Sequence, residues 1–167
     1  MAYPRIIRNH NVYVDGESYF GRAMQTKLPV LTVQTAAHRG AGMVGPVGMD
    51  MGLEAMALES EFAEWSEYLL TRLGTMAELV CRPAARADDE EGYTSYIVTA
   101  EGLVTTSSGD TLNPGDMASS KLMLKMDVRR YRLEIDGRTI HDVDLVRGKR
   151  IVGGVDQEAG LRRAMGL

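Results

Sequence analysis

Residues 117–135 carry the pattern that most restricts how this chain can fold. Apolar side chains occupy the even positions of residues 122–128 and then the odd positions of residues 131–135. Because strand side chains alternate between two faces, a strand with one apolar face cannot change parity without an extra residue. We therefore predict one long strand over residues 117–135, with a β-bulge near Arg129 and Arg130.

Shorter β-favouring segments, separated by turn residues, surround this strand. Asp15-Gly16 predicts a tight hairpin turn, and the acidic residues 88–92 predict the solvent-exposed tip of a second hairpin. Residues 107–116 contain two glycines and a proline and predict a loop. The predicted strands cover residues 11–14, 19–26, 28–37, 76–85, 93–104 and 139–146.

Two segments predict helices. In residues 64–73, Trp65, Leu69, Leu70 and Leu73 recur at helical spacing, which predicts a buried face. Asp156 predicts the N-cap of a short closing helix over residues 157–165. Strands and helices do not alternate as they do in a parallel sheet. We predict a single domain over residues 1–167 that is mainly β: an antiparallel β-sandwich or partial barrel with one central α-helix and a short C-terminal helix.

Residues 39–55 contain five glycines and three methionines. Neither a helix nor a strand pattern is evident there, and a loop of this length in a compact domain is unusual. Methionine adapts to irregular contacts, so we expect this segment to pack on a partner. The alternative is a loop folded over its own core. The residues expected at an inter-subunit or inter-ring contact are Arg39, Gly40, Gly42, Met43, Met49 and Met51.

Residues 40–45 match the pattern G-x-G-x-x-G of dinucleotide-binding proteins. That motif binds pyrophosphate only where a helix opens within it, and here Pro46 and Gly48 follow at once. The histidines and Cys81 lack the spacing of a metal site. We expect no catalytic, cofactor-binding or metal-binding residues and no enzymatic activity.

The bulk properties exclude further classes. No apolar run reaches the roughly 18 residues that a membrane-spanning helix needs, so stable membrane insertion is not expected. The N-terminus does not resemble a secretion signal. The single Cys81 allows no internal disulfide, which fits synthesis in a reducing cytoplasm. The net charge of −4 argues against a nucleic-acid-binding surface.

Several segments together resemble the major tail tube proteins of contractile, myovirus-type phages and R-type bacteriocins. The resemblance covers both ends of the chain and is weakest over residues 64–117. The similar segments are Met1-Ala2 with Pro4-Arg5, Asp15-Gly16 with Ser18-Tyr19 and Gly21, Leu28-Pro29 with Leu31, residues 39–43 and 50–56, residues 131–137, Gly154 to Gln157, Arg162, and Gly166-Leu167.

The resemblance implies a structural role without a cofactor. Subunits of this kind form hexameric rings whose strands join into one β-barrel, and the rings stack into a hollow tube that is driven through a target envelope. The implied partners are further copies of the chain, the tail sheath protein, the baseplate hub, the tape-measure protein and, in a phage, DNA passing through the lumen. The implied location is a virion tail or bacteriocin particle assembled in the cytoplasm of the host bacterium.

The tube must also meet its sheath. The polar face of the predicted helix over residues 64–73 suggests Glu64 and Glu67 as sheath-facing residues, and Arg162 and Arg163 of the closing helix are the competing candidates. Alternatively, both helices only cover the edges of the sheet. Three other functions stay open at this point: a type VI secretion-like tube protein, a monomeric β-sandwich binding module, and a nucleotide-using enzyme.

Overall fold

A computed structural model describes residues 3–109, 112, 114, 115 and 120–167 of the chain. Met1, Ala2, part of the predicted 107–116 loop and residues 117–119 of the predicted long strand lie outside the described residues. The elements in the described ranges are β1 (Ile6–Val14), β2 (Glu17–Ser18), β3 (Ala23–Lys27), β4 (Val33–His38), β5 (Val47–Leu53), β6 (Met56–Phe62), α1 (Glu67–Leu70), β7 (Met76–Arg86), β8 (Thr94–Gly109), β9 (Leu122–Ile135), β10 (Arg138–Asp144), β11 (Lys149–Val152), β12 (Val155–Asp156) and α2 (Ala159–Ala164).

One antiparallel sheet contains all of these strands except β4 and β5. Its order is β12-β11-β10-β9-β8-β7-β1-β2. The first half of β9 also pairs with β6, and β6 pairs in turn with β3. The second half of β9 pairs with β10 instead. The strand β9 therefore belongs to two neighbouring parts of the fold, and the predicted mainly antiparallel β architecture is confirmed.

The bulge that the sequence predicts lies at Arg129. Opposite β9, Glu101 pairs with Arg130 and Gly102 pairs with Val128, so Arg129 is the extra residue. The parity of buried side chains changes there, from Val128 before the bulge to Tyr131 after it. This bulge is where β9 passes from its partner β6 to its partner β10.

The core is formed mainly by residues of β1, β6, β7, β8 and β9. Its members are apolar residues at alternate strand positions, as the alternation of buried and more exposed residues along β6 illustrates. Tyr19 and Phe62 meet edge to face near its centre, with ring centroids 5.0 Å apart. None of the helices in the described ranges is long and apolar enough to cross a membrane.

The N-terminal hairpin is shorter than the sequence predicts. Its Asp15-Gly16 turn is present, but the return strand is β2 alone, which pairs with Tyr13 and Val14. Tyr19 then turns into the core, and the chain leaves the hairpin at Gly21, whose φ is +74°. The predicted strand over residues 19–26 is therefore wrong in its start and its partner, because β3 pairs with β6.

The predicted helix over residues 64–73 is wrong in length and in its buried face. Only Glu67–Leu70 is α-helical, and Leu69 is fully buried while Trp65 is 46% and Leu73 57% exposed. The Trp65 indole lies over Gly109 and donates a hydrogen bond from Nε1 to the carbonyl oxygen of Lys121 at 3.2 Å. The helical spacing of these apolar residues therefore does not mark a single buried face.

The C-terminal cap also differs from the prediction. Asp156 lies in β12 and pairs with Ile151, and α2 begins two residues later than the prediction, with Glu158 at its N-cap. The Asp156 carboxylate accepts a hydrogen bond from the Glu158 backbone N–H at 3.1 Å and is also paired with Arg162. Arg162 lowers the pKa of the Asp156 carboxyl. Asp156 thus fixes the approach to α2 without capping it.

Candidate assembly interface

Residues 33–53 form a hairpin that stands apart from the main sheet. The strands β4 and β5 pair only with each other among the described residues, so they make a second, two-stranded sheet. The expectation that residues 39–55 form an irregular loop is wrong for Val47–Leu53, which is strand β5. Glycines at positions 48 and 52 hide the strand pattern, because glycine is depleted in strands.

The tip of this hairpin holds four of the predicted contact residues: Arg39, Gly40, Gly42 and Met43. Gly42 has φ +86°, a conformation that glycine adopts without strain. The Gly40 backbone N–H donates to Met43 Sδ at 3.0 Å, and the Met43 N–H donates to the Gly40 carbonyl oxygen at 3.2 Å. A strand follows the tip and no helix opens there, so the G-x-G-x-x-G pattern lacks the geometry of a dinucleotide site.

One side of the hairpin carries several exposed apolar residues. Opposed residues of an antiparallel pair share a face, and the register places Ala36 opposite Met49. Alternation then brings Val47 and Met51 to the same side. Met49 is 53% and Met51 61% exposed. We call this side the apolar face: its apolar residues are Ala36, Val47, Met49 and Met51, and His38, opposite Val47, lies on the same side.

The other side of the hairpin meets the body of the protein through Asp50 and Leu53, and its residues in β4 are exposed. Asp50 pairs with Thr35 and lies on this side. A register shift follows between Asp50 and Leu53, where Gly52 has φ +102°. The extra residue changes the parity of β5, so Leu53 points to the body and packs against the core. The bulge thus separates an exposed segment of β5 from an anchored one.

Asp50 connects the hairpin to the C-terminal strands through Arg150. Arg150 is only 8% exposed, and its Nη2 lies 2.7 Å from Asp50 Oδ2 and 2.6 Å from Glu158 Oε1. The hydrogen bond from Arg150 lowers the pKa of the Asp50 carboxyl below its usual value, and the Gly52 backbone N–H adds to the effect. Charge-assisted bonds of this kind are stronger than neutral ones.

A groove of about 820 Å³ runs between β5 and α2. Arg150 and its partner Asp50 line this groove, and its apolar lining includes Met51, Leu53, Leu145, Leu161 and Met165. Leu53 and the ion pair of Asp50 attach the hairpin to the body, while β4 and the first five residues of β5 remain exposed.

The predicted sheath-facing residues are divided between α1 and α2, and of these Arg162 lines the groove beside the hairpin. Glu64 precedes α1 and pairs with Arg22 at 2.8 Å, while Glu67 is exposed in the first turn of α1. In α2, Arg162 is engaged by Asp156, and Arg163 is exposed. Glu64, Glu67 and Arg163 are all exposed, and the sheath assignment stays a prediction.

The structure also exposes apolar residues that the sequence analysis did not single out. Ile6 and Ile7 are adjacent in β1, and both are more than half exposed. Phe20, just after β2, and Tyr93, just before β8, are exposed as well. Two adjacent isoleucines in a strand must point to opposite faces, so their adjacency could have indicated a strand without a buried side.

Comparison with known proteins identifies the family. The sequence matches the family of phage tail tube protein FII over residues 4–166. The chain belongs to this family. The tail tube protein of Escherichia phage P2 is 29% identical over 175 residues, which span 100% of both chains. The major tail tube protein of Serratia phage KSP20 is 28% identical over 157 residues, covering 87% of this chain and 86% of that protein. The resemblance seen in the sequence is confirmed.

Solved structures show a similar fold. A chain of the sheath-tube complex of the extracellular contractile injection system PVC, in its extended state, matches with a TM-score of 0.56 at 10% identity. The match covers 79% of this chain and 92% of that one. A chain of the baseplate of the anti-feeding prophage matches with a TM-score of 0.51 at 13% identity, covering 80% and 97%. At these identities the likeness concerns the fold.

Proposed function

We propose that this chain is the repeating subunit of the inner tail tube of a contractile phage tail or a related particle. Copies close into hexameric rings, the sheets of neighbouring copies join into a β-barrel around a lumen, and the rings stack into a tube. The observation that carries this proposal is the hairpin of residues 33–53, which presents an apolar face without a partner in the described part of its own chain. Its membership of the tail tube family supplies the partner: further copies of the chain.

Open strand edges support ring closure. Within the described residues, β3 pairs with β6 on one side only, and the first half of β1 pairs with β7 on one side only. Unpaired edges invite pairing with another chain, and closure of a barrel removes them. Head-to-tail contacts that close by rotation give rings, and those that do not close give filaments. A tube needs both kinds, and this subunit offers strand edges and a projecting hairpin.

The hairpin contact is tested with the double variant Met49→Asp, Met51→Asp. Each methionine has about half its surface left to bury, which contributes about 1 kcal/mol on assembly, and a buried unpaired carboxylate costs more. We expect folded subunits that form no tubes in negative-stain electron microscopy.

Met76→Asp is the matched control, because Met76 is exposed to a similar extent but lies on the main sheet, in β7. Normal tubes from the hairpin double variant would contradict the proposed role of the apolar face. A wild-type protein that stays monomeric at high concentration would contradict the proposed function itself.

The contact with the sheath is proposed at α1 or α2. Exposed ion pairs are worth about 0 to 1 kcal/mol each and weaken with salt, which suits a contact that must release during contraction. We expect Glu67→Lys together with Glu64→Lys to leave tubes intact and to weaken sheath assembly around them, most clearly at low salt. The competing variant is Arg162→Glu with Arg163→Glu. Sheathed particles that form normally with the acidic pair reversed would exclude α1.

Further partners follow from the tube role. We propose the baseplate hub and the tape-measure protein as partners. If the particle is a phage, DNA passes through the lumen. The tube assembles in the host cytoplasm as part of the tail. Co-purification of assembled particles from a producing bacterium, followed by mass spectrometry, tests these associations. A tube preparation free of hub and tape-measure protein at both ends would count against them.

A further inference from the structure

The hairpin of residues 33–53 is joined to the body by a bond on the side opposite its apolar face. Asp50 and Met49 are neighbours in β5, so their side chains leave the strand in opposite directions. Arg150 holds Asp50, with Nη2 2.7 Å from Oδ2 and Nη1 3.4 Å from Oδ1. Whenever this ion pair is formed, Met49 points away from the body, while Met51, nearer the base of the hairpin, lines the groove beside α2.

Arg150 is well placed to act as a fixed support. It lies in β11 opposite Val143, which lies opposite Tyr131 of β9, and both of these partners are buried. Its second carboxylate partner, Glu158, comes from the N-terminal end of α2. The guanidinium is therefore held by the main sheet and by the C-terminal segment before it meets the hairpin.

The hairpin has little else to hold its direction. Its base is anchored where Leu31 and Leu53 pack against the core. Beyond that base both strands are largely exposed. An isolated two-stranded hairpin is marginally stable in water, and Gly52, at the bulge, provides a position where the backbone can bend.

We propose that the Arg150–Asp50 ion pair pre-orients the hairpin for assembly, holding it so that its apolar face is presented to a second copy of the chain. This inference rests on the proposed tube function and names Asp50 and Arg150 as positioning residues for it. Binding through a fraction of competent conformers weakens the apparent affinity by that fraction, so pre-orientation raises the affinity of one subunit for the next. An ion pair that stored the hairpin in an inactive position would instead cover the apolar face.

The test uses Asp50→Asn. This change removes the carboxylate from the hairpin and leaves Arg150 paired with Glu158, so the body remains intact. In dilute subunits we expect amide hydrogen exchange within residues 33–53 to accelerate about tenfold, the loss expected for one charge-assisted hydrogen bond. Tube formation, followed by light scattering and electron microscopy, should slow by a similar factor. Far-ultraviolet circular dichroism should not change.

Two further variants make the result specific. Asp88→Asn removes another exposed carboxylate that is paired with an arginine, Arg8, at the acidic tip, and should leave hairpin exchange unchanged. Glu158→Gln removes the other partner of Arg150 and should keep hairpin exchange within about twofold of wild type, since Asp50 is still bound. If Glu158→Gln accelerates exchange as much as Asp50→Asn does, packing of the C-terminal segment holds the hairpin and the proposal fails.

The possible results distinguish failure of the ion-pair proposal from failure of the proposed tube function. If wild-type subunits form tubes but Asp50→Asn leaves hairpin exchange unchanged, the ion pair does not orient the hairpin. If exchange accelerates and assembly is equal or faster, the ion pair does not favour assembly, and the proposal is overturned. If wild-type subunits form no tubes, the proposed function fails, whatever the exchange shows.

Discussion

Gly102 is the position where a single added carbon should damage the fold most directly. It lies in β8 opposite the Arg129 bulge of β9 and is buried. A Cβ at this position would lie 2.1 Å from the carbonyl oxygen of Asp127 and 2.9 Å from Met126 Cγ. The backbone conformation of Gly102 is one that other residues also adopt, so Gly102→Ala is opposed by the steric clash and not by backbone strain.

The size of the effect follows from what must move. A side-chain Cβ essentially never lies closer than 3.0 Å to another heavy atom. The strands β8 and β9 would therefore have to move apart locally until the distance from the new Cβ to the Asp127 carbonyl oxygen rose from 2.1 Å to at least 3.0 Å. The obstructing atom is backbone in the centre of the sheet, which cannot rotate aside. Overpacking costs about 1–3 kcal/mol, and each weakened ladder hydrogen bond costs about 1 kcal/mol more. We expect a loss of about 3 kcal/mol in the free energy of unfolding.

Urea denaturation of dilute subunits, followed by circular dichroism, measures this loss, because assembly would otherwise add to the apparent stability. For a chain of this size, about 3 kcal/mol corresponds to a fall in Tm of about 6–12 °C. Gly160→Ala is the matched control. Gly160 lies in α2, and a Cβ added there would meet no atom within 4 Å, so that substitution should be neutral or slightly stabilising. Equal stability of the two variants would refute the reasoning about the bulge.

Two further predictions concern the core. Leu69→Ala should lower the free energy of unfolding by about 2–5 kcal/mol, whereas Leu73→Ala should change it by less than about 0.5 kcal/mol, because Leu69 is fully buried and Leu73 is exposed. Urea denaturation of both variants measures the difference. Equal losses would instead support the longer helix with one buried face that the sequence predicts. Burial raises the pKa of the Cys81 thiol from 9.0 to about 11. Above pH 9.0 the thiol ionises more readily in the unfolded chain than in the folded one, so the free energy of unfolding should fall as the pH rises toward about 11. Cys81→Ala should remove this part of the pH dependence, and an identical pH profile for both proteins would contradict the prediction.

The bulge could be predicted from the sequence and the hairpin strand could not, for related physical reasons. Around Arg129 every second residue is a large apolar side chain, so a change in parity is visible in the letters. In β5, Gly48 and Asp50 alternate with Val47, Met49 and Met51. The first five residues of this strand are exposed on both faces. A strand whose two faces are both exposed lacks the burial pattern by which a strand is recognised in a sequence.

The short α1 helix shows the opposite error. Trp65, Leu69 and Leu73 are four residues apart, and that spacing predicts one buried helical face. Only Leu69 enters the core, because α1 covers the sheet with a single turn. Trp65 is held by a contact with Gly109, which is distant in sequence, and periodicity carries no information about such contacts.

The ion pair at the candidate interface is also beyond the reach of the sequence. Asp50 and Arg150 are separated by 100 residues, and each is an ordinary charged residue in its own segment. By contrast, the glycines and methionines of residues 39–55 stand out in the composition, and the structure leaves Met49 and Met51 exposed. Their role in an assembly contact stays a prediction. The composition of a segment can therefore be interpreted from the sequence, whereas the distant residues that hold the segment in place cannot be predicted from it.

The pairing of β6 with β9 also sets a sequence of events during synthesis. Chains emerge from the ribosome N-terminus first, and Met56–Phe62 has no partner on that side until Leu122–Val128 has been made. The β4–β5 hairpin needs only residues 33–53, and local contacts form before distant ones. A nascent chain can therefore carry its apolar hairpin before it has a body. Arg150 is translated late, so the hairpin of an unfinished chain lacks its ion pair through Asp50 and is marginally stable on its own until the C-terminal strands have formed.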